Sequence, residues 1–103
     1  MRALLLLIST VAAAHAGEVE IKIENFRVDH GIAEAVMKVT NRTDQPASWL
    51  FVDCVFLDAD QKAIDIGKEI IRNLPVDGVV YGKAAITRAP HAQFVHCYVS
   101  NRD

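Results

Sequence analysis

Polar and apolar residues alternate at the start of the globular part of the chain. Val19, Ile21 and Ile23 fall on one side, and Glu18, Glu20, Lys22 and Glu24 on the other. A period of two predicts a half-buried strand, and its charged outer side suits a sheet edge in water. Asn25–Gly31 contains Asp29-His30-Gly31, a turn. Ala33, Ala35, Met37 and Val39 then form the inward side of a second strand, with Glu34, Val36, Lys38 and Thr40 outward. Helix competes over Ile32–Lys38, but the run is short and Val36–Thr40 is rich in strand formers. Asn41–Pro46 is a polar turn, and Pro46 biases Gln45 away from helix.

The stretch Trp49–Leu57 is apolar on both alternating sides except for Asp53. Such a run predicts a central strand from about Ala47 to Asp58. Asp58–Lys62 closes it as a turn. Gln61–Leu74 supports two readings. Ile64, Ile66 and Ile70 suit a strand, whereas Ala63, Ile66, Ile70, Ile71 and Leu74 also suit one side of a helix. The strand, with a bend at Gly67, fits the all-β surroundings better. Leu74–Gly78 is a turn with a fixed-φ Pro75. Val79–Thr87 is the next strand, with Val80, Gly82, Ala84 and Ile86 on one side. Ala89-Pro90-His91 breaks it, and Gln93–Ser100 is the last strand. About six short strands between Gly, Pro and Asn/Asp turns predict an antiparallel β-sandwich of immunoglobulin-like architecture.

Phe56-Leu57-Asp58 at a hairpin and Asn73-Leu74 before Gly78 in the later turn resemble the FxLYD-type domains of bacterial secreted and surface proteins. The resemblance covers Val19–Val99. It departs from the pattern at Gln61, where a turn glycine is usual, and at Val76-Asp77, which separate Pro75 from Gly78. The resemblance implies a small β-sandwich in a secreted setting and carries no catalytic residues.

The first 16 residues change the setting of the domain. Arg2, an apolar run from Ala3, and the small-x-small end Ala14-His15-Ala16 predict a cleaved secretory signal peptide over residues 1–16. The run is too short for a bilayer-spanning helix of about 20 residues. The expected domain is therefore 17–103, in a secreted or periplasmic location, with no membrane span in the mature chain. The full chain has net charge −2, and its charges are mixed without a basic run. Nucleic-acid binding is not expected, because phosphate contacts need clustered Lys and Arg. Cys54 and Cys97 are the chain's two cysteines. After a signal peptide they read as one disulfide; the alternative is two buried thiols.

Chemical motifs are sparse. His30, His91 and His96 follow the predicted signal, and a metal site needs about three convergent ligands. In one strand, His91 and His96 would point to opposite sides. Cys97 and His96 are adjacent and would also diverge. Cys54 lies among apolar residues, which raise a thiol pKa rather than lower it. No Gly-x-Ser-x-Gly turn is present. We therefore expect no catalytic residues, metal or cofactor. Asn41-Arg42-Thr43 matches a glycosylation sequon, or serves as a turn with Asn in a left-handed or capping role.

Placing the cysteines on neighbouring antiparallel strands sorts the rest. One side then pairs Val52 with Val99, Cys54 with Cys97 and Phe56 with Val95, which is a core. The other pairs Asp53 with Tyr98, Val55 with His96 and Leu57 with Phe94, continued by Phe51 and Trp49. This second side is unusually apolar for the outside of a sandwich. Either the segment Lys62–Leu74 covers it, or strands cross between sheets and bury it in part, or Trp49, Phe51, Asp53, Val55, Phe94, His96 and Tyr98 are a surface for another protein. The expected function is a non-catalytic secreted or periplasmic interaction domain, such as an accessory subunit of an envelope assembly. The alternative is a small ligand- or metal-binding periplasmic protein using His91, His96 and Asp53.

Overall fold

The structure is a computed structural model that describes residues 17–103; the predicted signal peptide lies outside the described residues. Six strands follow in order: β1 (Val19–Asp29), β2 (Ile32–Asn41), β3 (Ala47–Leu57), β4 (Ala63–Leu74), β5 (Val79–Ile86) and β6 (Phe94–Arg102). They form two antiparallel three-stranded sheets, β1-β2-β5 and β4-β3-β6, packed as a sandwich. This is an immunoglobulin-type order in which the fourth strand sits beside the third.

β1 is longer than the alternation suggests. One extra residue at Glu24 shifts its register against β2, so the inward positions pass from Val19, Ile21 and Ile23 to Phe26 and Val28. The turn is confined to His30 and Gly31, at φ 53° and 79°. Two successive positive-φ residues match the right-handed twist of the flanking strands. The β3–β4 hairpin is organised by Asp58. Its carboxylate accepts hydrogen bonds from the Asp60 and Lys62 amides, and its carbonyl accepts one from Gln61. Gln61 sits at φ 63°, the left-handed position that a glycine would occupy without strain.

The core lies between the two central strands. Ala33, Ala35, Met37 and Val39 of β2 meet Leu50, Val52, Cys54 and Phe56 of β3, all fully buried. Thr40, expected outward, is also buried. Gln61–Leu74 resolves as strand from Ala63, unbroken at Gly67. Gly67 serves close approach rather than a bend. A β-carbon there would stand 3.0 Å from the Ala85 carbonyl oxygen and 3.2 Å from the Phe56 ring. The absent side chain lets β4 close against β5.

Asn41 ties one end of the sandwich together. Fully buried, it donates from Nδ2 to the carbonyls of Gln45 (2.9 Å) and Leu74 (3.2 Å), while Oδ1 accepts from the Thr43 amide and hydroxyl. This is a capping role without a left-handed backbone, and the engaged, buried amide is closed to glycosylation in the folded state.

Cys54 and Cys97 form a disulfide across β3 and β6, with Cα atoms 4.0 Å apart. Replacing both by Ala should lower stability by about 4 kcal/mol, the chain-entropy value for a loop of this size, read as a lower urea midpoint. Gln61→Gly should raise stability by about 0.5–1 kcal/mol, measured the same way, because glycine relieves the left-handed backbone.

Candidate functional site: the outer side of the β4-β3-β6 sheet

The disulfide sets the site's geometry. Cys54 opposes Cys97, and the ladder runs as the alternation predicts: Leu57 opposite Phe94, Val55 opposite His96, Asp53 opposite Tyr98, Val52 opposite Val99. Beyond Val52 the register shifts by one residue at Ser100, so Phe51 opposes Asn101 and Leu50 opposes Arg102. That shift has no signature in the hydrophobic pattern.

The predicted surface residues share the outer side of this sheet, and no described segment folds over them as a cover. Phe51 is 38% exposed, Phe94 44% and Tyr98 39%; His96 is exposed, and Trp49 and Val55 are half-buried. Trp49 and Phe51 pack with ring centroids 5.2 Å apart, and His96 stacks on Tyr98 at 5.9 Å. Lys62–Leu74 does not cover them. As β4 it joins the same sheet and enlarges the patch, with Ile70 beside Phe51 and Ile66 beside Val55. Both isoleucines are more than two-fifths exposed. Sequence reasoning missed them as surface residues, although Ile66 and Ile70 share the parity of Lys68, which does face out.

A polar pair stands in the middle of this apolar surface. Lys68 opposes Asp53 across β3 and β4, its Nζ 3.2 Å from both carboxylate oxygens. The Ser100 hydroxyl donates to Asp53 Oδ1 at 3.1 Å. Asp53 itself is only 8% exposed, so these two partners stand in for the water its carboxylate gives up. Phe51, Asp53, Lys68, Glu69 and Ile70 line a shallow concavity of about 120 Å³.

The opposite side of the molecule is chemically different. On the outer side of β1-β2-β5, Glu34 takes Arg27 Nε at 3.1 Å and Lys83 Nζ at 3.3 Å, and Glu20 takes Arg42 Nε at 2.8 Å. The Lys83 hydrogen bond, with the nearby Arg27, holds the Glu34 carboxyl below the usual carboxylate range. Exposed Ile32, Val79 and Tyr81 stand among these ion pairs, whereas the outer side of the other sheet gathers its aromatic and branched aliphatic side chains around the Lys68–Asp53 ion pair.

The residues of the alternative reading are not gathered. His91 lies in the turn before β6, His96 on the outer sheet side, and Asp53 on Lys68. Among the described residues no three His, Cys, Asp or Glu side chains converge as a metal-binding group. Cys54 and Cys97 are both in the disulfide, so neither is a thiol nucleophile. No helix of the described residues is long and apolar enough to cross a membrane. No family model, curated protein or solved structure matches the chain.

Lys68→Met should cost about 1 kcal/mol in urea unfolding, because Asp53 loses its cation in an apolar setting. Adding Asp53→Leu should recover that loss, since an apolar pair leaves no unpaired charge.

Proposed function

We propose that this protein is a non-catalytic, secreted or periplasmic interaction domain, an accessory subunit of an envelope assembly. It binds a partner protein through the outer side of β4-β3-β6. The observation that carries this reading is the uncovered apolar surface around Phe51, Ile66, Ile70, Phe94 and Tyr98, which spans all three strands of the sheet. Contiguous exposed apolar surface with an aromatic centre is what protein partners desolvate favourably. The Lys68–Asp53 pair supplies a fixed polar point within it, suited to setting the partner's orientation. The disulfide favours an oxidising compartment, as does the signal-like start of the chain. The resemblance to FxLYD-type domains points the same way.

Phe51→Ser combined with Tyr98→Ser should retain the native circular dichroism and a melting temperature within a few degrees, because both residues are largely exposed. The same variant should lose the partner that the wild-type protein retains after cross-linking in envelope extract. Unfolding of the double variant would show instead that this side is core.

A further inference from the structure

We infer that β6 pairs with the β6 of a second copy of this chain, joining two sandwiches edge to edge through Val95, Cys97 and Val99. This goes beyond the partner surface proposed above, since it concerns the edge of the sheet rather than its outer side.

The disulfide reports which backbone groups of β6 are open. Directly opposed antiparallel residues approach most closely, about 4.5 Å between Cα atoms, where they are not hydrogen-bonded to each other. Cys54 and Cys97 are 4.0 Å apart, so this is such a pair. Cys97 therefore turns its N–H and C=O away from β3, and the alternation carries the same orientation to Val95 and Val99. Those three residues present a row of donors and acceptors along the free edge of β6, which no described strand occupies.

The edge chemistry of β6 differs from that of the other outer strands. β1 carries Glu20, Lys22, Glu24, Arg27 and Asp29 and is interrupted by its extra residue at Glu24. β4 carries Asp65, Lys68, Glu69 and Arg72 and has an irregular register near Leu57. β5 carries Lys83, whose edge amide is taken by Glu69 of the facing sheet. Charges and bulges of this kind protect edges from pairing. From Phe94 to Asn101, β6 has no Asp, Glu, Lys, Arg or Pro, and its register is regular up to Ser100.

The core beneath this edge is also incomplete. On the far side the two sheets are closed, with the Lys83 amide donating to Glu69 at 3.0 Å and Gly67 against Ala85. Between β1 and β6 a cleft of about 400 Å³ remains, lined by Val19, Ile21, Cys97, Val99 and Arg102 among others. The inward residues of β6, Val95, Cys97 and Val99, are only half-buried, whereas their opposites Phe56, Cys54 and Val52 are fully buried. Larger sandwiches of this order place a further strand at this position.

A second β6 meets these requirements. With the two-fold axis at Cys97, Val95 opposes Val99 of the second copy, and Cys97 opposes Cys97 of the second copy. All three open residues then fall in hydrogen-bonded pairs, which no other nearby symmetric register achieves. The apolar inward sides of both strands lie on one side of the joined sheet, so the two clefts meet. On the outward side His96 opposes Tyr98 of the second copy. The contact is self-complementary, as a two-fold dimer interface must be.

Sedimentation equilibrium of the oxidised protein, with amide hydrogen exchange at low and high concentration, tests this. We expect a dimer in which the Val95, Cys97 and Val99 amides are slow to exchange at high concentration and fast on dilution. Val95→Pro removes one open donor without touching the β3 ladder and should weaken association by about tenfold or more. Should that variant misfold, Tyr98→Lys places a charge on the edge from an exposed position and should do the same. Phe51→Ser should leave the dimer intact. A monomer at every concentration would overturn the inference, as would a dimer in which those three amides stay fast.

Discussion

The bond between Cys54 and Cys97 fixes more of this molecule than any other single contact. It joins strands 43 residues apart in sequence at directly opposed positions. A sheet register is discrete: slipping by one residue would turn every side chain of β6 to the other side. Pinning one pair therefore assigns all the others. Val95 and Val99 go to the core, Phe94, His96 and Tyr98 go outward, and the open backbone groups of β6 fall at the inward positions. The bond adds chain-entropy stabilisation, but its structural consequence is the choice between two incompatible surfaces.

β3 has to satisfy three demands at once. Its even-numbered residues from Leu50 to Phe56 fill the core, both its edges are hydrogen-bonded, and its odd-numbered residues form the centre of the outer surface. The run of apolar residues that marks it as central comes from the first and last of these. On β2 the outward positions alternate in character instead, with Glu34 in an ion pair and Lys38 beside Ile32 and Val36. A strand apolar on both sides in a two-layer sandwich must show one of those sides to something. In this chain the neighbours of that side, Ile66 and Ile70 on β4 and Phe94 and Tyr98 on β6, are apolar too.

Much of the architecture was readable from alternation. The inward sets of β2, β3 and β5 follow from period-two patterning and the pairing of β3 with β6 from the two cysteines, whereas β4, open to a helical reading, is favoured as strand only by its all-β surroundings. What escaped notice lies where the backbone departs from regularity. The extra residue at Glu24 exchanges the sides of β1 midway, so Phe26 and Val28 lost their connection to Val19 and Ile21. The extra residue at Ser100 turns Arg102 towards the cleft. Gly67 reads locally as a flexible point, but its reason is the backbone of Ala85, 18 residues on in sequence and adjacent only in space. Gln61 shows the opposite case: a departure from the expected turn glycine that the backbone geometry left unchanged, at φ 63°. The location of the apolar surface was legible, but its extent was not, because it depends on β4 lying beside β3 rather than over it.

The placement of β3 between a local and a remote neighbour also orders events in time. As the chain emerges N-terminus first, β4 follows β3 through a short hairpin and can pair with it at once. The second edge of β3 has to wait for a segment that arrives some 40 residues later. Until then the most apolar strand of the chain has an unpaired edge and an uncapped thiol at Cys54. A chain in this state exposes an unpaired apolar strand edge and a free thiol together. Closing the Cys54–Cys97 bond is thus the step that ends its exposure as an unfinished sheet.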